Sequence, residues 1–413
     1  MGRYINRYWD GSAGAPTAKE RRGFNYRAFV PDKIASRDFT IPASLAKAFT
    51  QTELLCHQLQ ATALITGLDS FAEPLLRTEC ISSSWIEGLA VSYQEIIEAG
   101  YNPSQTSTTA QLVLGNIRAM ERAISIGNQK DNDFSINDLL IMHSEMLSNT
   151  PFLNIAGALR TTQGWIGGSS YSPLGAKYVS SPEQNIQDLL QDLCAFINRD
   201  DLPAVIQAAV AHAQFELIHP FGDGNGRVGR CLIHVILKRS GLSPNFVPPI
   251  SLLLARDTNH YVQGIQNFAK GNELDWIAFF NKELMEATAY ALSLSANVQT
   301  AKSEWLFKIG NPRKDSATFK IIQLLPRFTI LNTQQLAKEI QSSTEAVRLA
   351  LNALENFGII KPLGTERYGQ TWVVAGISDL LSLSETKKLP LLDQGKNLLE
   401  RIKNRDASGS ELT

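Results

Sequence analysis

Residues 203–218, PAVIQAAVAHAQFELI, are apolar on nearly every side of a helical projection. A helix without a polar face belongs at the centre of a helical domain. Pro203 suits its first turn, after Asp200 and Asp201. Directly behind it comes HPFGDGNGRVGR (219–230), twelve positions holding one histidine, one acid, two arginines and four glycines. A second helical run, from about Val228 to Ser240, ends in Lys238-Arg239 and stops at Gly241. The polar loop therefore joins two helices, one of them buried.

The rest of the chain to about residue 300 reads mainly as helices. Residues 43–67, 110–127 and 135–147 carry apolar positions at helical spacing, with Gly67 and Gly127 as stops and Ser135 as a cap. YNPSQTSTT (101–109) is a polar connector. The stretch 157–183, rich in Gly, Ser and Thr with aromatic residues interleaved, predicts a short surface hairpin. From about Ala317 three short helices, with Thr333 and Ser343 as caps, precede two strand-like pieces, the order of a winged helix-turn-helix. The last thirty or so residues read as a loose tail.

Composition excludes several classes. The 413 residues carry 39 Lys+Arg against 40 Asp+Glu, a net charge of −1, so there is no general pull toward nucleic acid or membrane. Cys56, Cys80, Cys194 and Cys231 form no C-x-x-C pair, and neither a disulfide framework nor a thiolate zinc site is expected. The N-terminus has no apolar signal core, and no apolar run is long enough to span a bilayer, so the expected location is the cytoplasm.

The loop's residue types point to phosphate chemistry. Gly222, Gly224 and Gly226, set at alternate positions before a helix, let backbone N–H groups converge on an anion. Arg227 and Arg230, at i and i+3 on one helix face, match phosphate oxygens bidentately. Asp223 is a lone carboxylate, and Mg²⁺ commonly takes one or two, filling its shell with phosphate and water. His219 titrates near neutrality and can accept a hydroxyl proton. GNGRVG (224–229) also satisfies G-x-G-x-x-G, but a dinucleotide site needs a strand before it and here a helix precedes.

HPFGDGNGRVGR resembles the signature of Fic-domain proteins, HPF-x-[DE]-GNGR-x-x-R, with every specified position filled. The resemblance implies a helical bundle that transfers AMP from ATP to a hydroxyl side chain of a target protein. It implies His219 as the base, Asp223 as the Mg²⁺ ligand, Gly224, Asn225 and Gly226 as the anion nest, and Arg227 on the distal phosphates. Gly222 and Phe221 belong to the same nucleotide loop, with Phe221 anchoring it in the core. The hairpin at 157–183 resembles the family's flap, which clamps the target segment beside the histidine. Residues 259–280 resemble the segment over adenine, with Tyr261 matching an aromatic there and His260 left without a role.

A second motif lies far upstream. In CISSSWIEGLAVS (80–92), Ser83-x-x-x-Glu87-Gly88 resembles the family's inhibitory [ST]-x-x-x-E-[GN] motif. There the glutamate pairs with the second arginine of the signature, here Arg230, in the place of the γ-phosphate. Without the resemblance, Gly88 ends a helix beside an exposed glutamate.

The expected architecture is thus mainly α: a Fic bundle with a hairpin flap, and a C-terminal winged helix. Its expected divisions are an N-terminal helical region (1–109) with the inhibitory helix at about 80–92, a core at 110–300, a winged helix at 315–376 and a tail at 377–413. The expected function is an adenylyltransferase that uses ATP and Mg²⁺, is restrained by Glu87, acts on target proteins and itself, and forms a homodimer. The alternatives are a winged-helix transcriptional regulator with a nucleotide-sensing core, or a Fic enzyme that transfers or removes another nucleotide group. Residues 333–372 carry four bases and four acids, a balance that gives DNA binding no support from charge.

Overall fold

The computed structural model describes residues 2–66, 72–101, 106–328, 330–363 and 370–376. The elements run β1 (Gly2–Trp9), α1 (Ala18–Arg21), β2 (Phe24–Pro31), α2 (Ala43–Thr66), α3 (Ala72–Ile86), α4 (Tyr93–Tyr101), α5 (Thr108–Gly127) and α6 (Ile136–Leu147). After these come β3 (Trp165–Ile166), β4 (Tyr178–Val179), α7 (Ile186–Ile197), α8 (Ala204–Ile218), α9 (Asn225–Arg239), α10 (Ile250–Leu254), α11 (Thr258–Ala269) and α12 (Glu273–Lys308). The C-terminal module is α13 (Ala317–Leu324), β5 (Leu331–Asn332), α14 (Thr333–Glu339), α15 (Thr344–Asn356), β6 (Ile360–Leu363) and β7 (Thr371–Val374).

The helix with no polar face is the central one. Every residue of α8 except Glu216 is buried, and α7, α9 and α12 pack around it. Small Ala208, Ala209, Ala211 and Ala213, all at 0% exposure, let these helices approach closely. Pro203 stands at the N-cap, one position before its expected place. α9 is almost as deeply buried, from Arg227 through Lys238. The loop between α8 and α9 is therefore clamped at both ends by core helices.

Three elements differ from the sequence expectation. The first thirty residues are mainly a β-ribbon with one short helix, α1, between its strands: β1 and β2 pair antiparallel from Gly2↔Pro31 to Trp9↔Phe24. The helix expected at 80–92 runs from Ala72 to Ile86, so Glu87 and Gly88 lie just past its end. The helix expected from Val228 begins at Asn225, because the Gly224 carbonyl already accepts from Val228 N (3.0 Å). Gly226 thus belongs to the first helical turn rather than to the loop.

The 157–183 stretch forms a hairpin of two residues per strand, Trp165↔Val179 and Ile166↔Tyr178. So short a ladder is held from outside. The β1–β2 ribbon braces it through Trp9 on Trp165 (5.6 Å between centroids), Tyr26 Oη on Gln163 (3.2 Å) and the Arg7–Glu183 ion pair (3.0 Å).

In the C-terminal module β5, β7 and β6 form one antiparallel sheet in that order. Ser343 caps α15 as expected, but Asn332, not Thr333, caps α14: its side chain accepts from Gln335 N. The expected tail at 377–413, Gly67 and most of the 101–109 connector lie outside the described residues.

Candidate active site

α8 ends abruptly at His219, its C-cap, which takes a left-handed conformation (φ 53°). That conformation is costly for a non-glycine residue and is held by its surroundings. Arg160 supplies much of the hold, with its Nε donating to the His219 carbonyl (2.7 Å) and its backbone N–H to Pro220 (3.0 Å). Its Nη2 also donates to Ser180 Oγ (3.1 Å), tying the His219 turn to the hairpin. Burial lowers the His219 pKa to about 4, with Arg160 adding to the effect and Glu87 opposing it. The imidazole is therefore neutral at pH 7 and free to take a proton.

The next residues fold around Asn225. Its side chain accepts from Phe221 N (2.8 Å) and donates to Phe221 O (2.9 Å), closing the turn with a reciprocal pair. The Phe221 ring is 1% exposed and stacks on His143 (3.9 Å, 8°). Phe221 anchors the loop as expected, and its side chain faces the core. His143 accepts from Gly157 N at Nδ1 (3.0 Å), so Nε2 carries the proton donated to the Asp223 carbonyl (3.1 Å). Gly222, between these anchors, is exposed. Asp223 therefore has its backbone held while its carboxylate, 44% exposed, is open on one side and 3.1 Å from Arg227 Nη2 on the other.

The two arginines diverge. Arg227 turns back over its own loop, and its Nε and Nη1 are buried with no hydrogen-bond partner among the described residues. Unpaired buried guanidinium nitrogens at a helix N-terminus suit an anion. Arg230 instead reaches α3: Nε donates to Ser83 Oγ (2.8 Å), and Nη2 to Ser83 O (2.9 Å) and Glu87 Oε1 (2.7 Å).

The Fic/DOC family matches residues 133–237, and the family's N-terminal region matches residues 57–125. Residues 133–237 are a Fic domain. It is 36% identical over 124 residues to the protein adenylyltransferase fic-1 of Caenorhabditis elegans, covering 30% of this chain and 23% of that protein. It is 28% identical over 176 residues to a probable protein adenylyltransferase of Aquifex aeolicus, covering 42% of this chain and 52% of that one. The chain thus spans about a quarter to a half of the length of these relatives. Its fold is shared with a solved Fic family protein from Desulfovibrio desulfuricans, at TM-score 0.50 and 18% identity, over 82% of this chain and 98% of that one.

From the end of α3, in the segment that matches the family's N-terminal region, Glu87 reaches the loop. Leu89 N donates to Ser84 O and Gly88 N to Trp85 O (both 3.0 Å), the two bonds of a Schellman cap. Gly88, at φ 77°, supplies the left-handed residue this cap requires and sets Glu87 at the C-cap. The Glu87 carboxylate lies over the first turn of α9, where a Cβ on Gly226 would collide with Oε1 and press on Arg230 Nη1 (3.0 Å). Burial alone would raise the Glu87 carboxyl, but Arg230, with smaller help from Arg227 and His219, holds it below the ordinary value. The Arg230 side chain is 1% exposed and that of Glu87 37%, so the acid is the partner with room to leave.

Tyr261 sits behind Arg230 rather than on an open face. Its ring is buried, with His212 (5.9 Å) and Trp276 (6.2 Å) on its flanks, and its hydroxyl meets His212 Nε2 (2.8 Å). The sequence reading missed His143 and Arg160. Each stood as a lone polar residue in a segment read for other features, and only the fold brings them to the loop. Among the described residues no three His, Cys, Asp or Glu side chains assemble into a metal cage. All four cysteines are buried and free, and burial pushes their thiols up, Cys194 and Cys231 to about 12. No helix among the described residues is long and apolar enough to cross a membrane.

Proposed function

We propose that the chain is a protein adenylyltransferase whose activity is restrained by Glu87. The carrying observation is the sharing of Arg230: the second signature arginine is engaged by Ser83 and Glu87, while Arg227, one turn away, has two buried nitrogens unpartnered. Adenylyltransfer is the named activity of the relatives in Caenorhabditis elegans and Aquifex aeolicus.

The reaction follows from the loop. The oxygen of a target hydroxyl attacks the α-phosphorus of ATP, the bond from that phosphorus to the bridging oxygen breaks, and pyrophosphate leaves. Neutral His219 accepts the hydroxyl proton. The first-turn amides at Gly224, Asn225 and Gly226, with Arg227, hold the phosphates, and positioning and charge neutralisation supply most of the rate. Phe221 and Gly222 shape the loop, and buried Tyr261 supports Arg230 from behind rather than meeting the nucleotide itself. The donor set fits Mg²⁺, which needs one protein carboxylate beside phosphate and water. Asp223 would hold it, and the ion supplies charge neutralisation at the phosphates. The β3–β4 hairpin, tied to His219 through Arg160, is the element against which a target segment lies.

With Glu87 on Arg230, ATP's γ-phosphate is denied that arginine. Glu87→Gly should raise AMP transfer, including transfer to the protein itself, and His219→Ala should abolish it. Incubation with labelled ATP and Mg²⁺, followed by intact mass, reads both. Equal labelling of wild type and Glu87→Gly overturns the restraint.

The C-terminal module is assigned to protein contact, with a target or a second copy, rather than to DNA. The one arginine of α15, Arg348, is neutralised by Glu345 (2.6 Å), and Leu349 (57%) and Phe357 are exposed there.

A further inference from the structure

The contact between Glu87 and Arg230 is the last rung of a longer ladder. Glu79, Ser83 and Glu87 recur every four residues along α3 and its cap, and Arg230 and His234 are four apart on α9. The rungs run in register. Glu87 and Ser83 hydrogen-bond Arg230, and one turn below, Glu79 Oε1 lies 3.2 Å from His234 Nε2, a close contact without hydrogen-bond geometry.

Glu79 is 0% exposed. Beside His234, its carboxylate accepts from the Ser251 backbone N–H (2.8 Å) and from the Ser251 hydroxyl. Ser251 lies in the first turn of α10, so a single carboxylate joins α3, α9 and α10. On the opposite side, Asn116 of α5 donates to the Cys80 carbonyl (2.9 Å) and to Ser84 Oγ (3.3 Å), gripping the same turn of α3.

We propose that Glu79 is the positioning residue of the Glu87 restraint: through its two hydrogen bonds to Ser251 and its packing against His234 it fixes the rotation and axial register of α3, so that Glu87 meets Arg230. The inference rests on Glu87 restraining AMP transfer. Burying a carboxylate costs desolvation that an apolar residue of similar size would avoid, and the best-attested return on such a group is register. One residue of slippage moves a helix by about 1.5 Å and turns it by roughly 100°. A hydrogen bond loses most of its strength over smaller errors. The apolar faces of α3 tolerate such slips far better than the Glu79 rung does.

The test measures AMP transfer, with the KM for ATP, for Glu79→Gln in two backgrounds. Where Glu87 is present, the rate should rise several-fold and the KM fall, because Glu87 no longer meets Arg230 squarely. In the Glu87→Gly background the same substitution should change the rate by less than about two-fold. A purely structural Glu79 would lower the rate in both backgrounds, and that result overturns the proposal, as does no change in the first. If Glu79→Gln melts below the assay temperature, Ser251→Ala carries the test, removing one hydroxyl donor and leaving the backbone bond. It should give the same sign with a smaller effect, and no rise overturns the proposal. A Glu87→Gly protein no faster than wild type overturns the restraint itself, and this inference with it.

Discussion

The 219–230 loop and the end of α3 that meets it are both polar insertions into one apolar core, and the proposed catalyst and the proposed block are held by different forces. The loop is fastened by hydrogen bonds to its backbone groups: the Asn225–Phe221 pair, the His143 bridge between Gly157 and Asp223, and Arg160 on the His219 carbonyl. The block is an ion pair between residues 143 apart in sequence, with its acid more than a third exposed. Hydrogen bonds that end on neutral backbone groups change little with salt, whereas a partly exposed ion pair is screened and open to competition. A built-in catalyst and a conditional inhibitor can thus share one arginine.

Arg230→Ala tests that sharing with the largest expected effect. It frees Glu87 of its partner, so a purely inhibitory arginine would give an active enzyme. Because the γ-phosphate also needs the guanidinium, AMP transfer should instead fall by about 100-fold or more relative to Glu87→Gly. Activity equal to Glu87→Gly would place Arg230 in the block alone. Asn225→Ala probes the other side. Leaving both Phe221 backbone groups unpaired in the core should cost about 1–3 kcal/mol of stability, read as a lower melting temperature. It should also lower AMP transfer with or without Glu87, since it strikes the loop and not the block. A loss confined to the Glu87-containing protein would contradict the separation.

The same contrast governs what could be read before the fold was known. The loop is contiguous: histidine, acid, nest and arginines stand in twelve positions, and the apolar run of α8 announces its burial. The block needed a partner far upstream, and no periodicity in 80–92 links Glu87 to Arg230; a family resemblance supplied the pairing. Its helix was also set too late, because Gly88 ends α3 at the point where the apolar pattern continues toward Val91. The β1–β2 ribbon was missed altogether. RYINRYW alternates as a strand should, but its return strand lies beyond α1, without the tight turn that marks a hairpin. His143 and Arg160 act through bonds to backbone carbonyls and amides of other segments, which leave no trace in residue spacing.

The smallest prediction concerns Glu216, which lies where the two regions meet. It belongs to the last turn of α8, three residues before His219, and packs against Gly229 with a buried Oε1 lacking a hydrogen-bond partner among the described residues. Burial raises its carboxyl from 4.5 to about 8, Arg230 opposes the rise and Glu87 adds to it. In the unfolded chain the group ionises near its ordinary value; in the fold it stays neutral to higher pH. Stability from this residue is therefore complete at pH 4 and is lost as pH climbs through 8. Glu216→Gln keeps the shape and removes the titration, so it should raise stability progressively from about pH 5 to pH 8 and change little at pH 4. In the Glu87→Gly protein one of the charges raising Glu216 is gone and Arg230 is free to favour its carboxylate. The gain should then shrink, and an equal gain in both backgrounds would mean that Glu216 senses burial alone and not the state of the block.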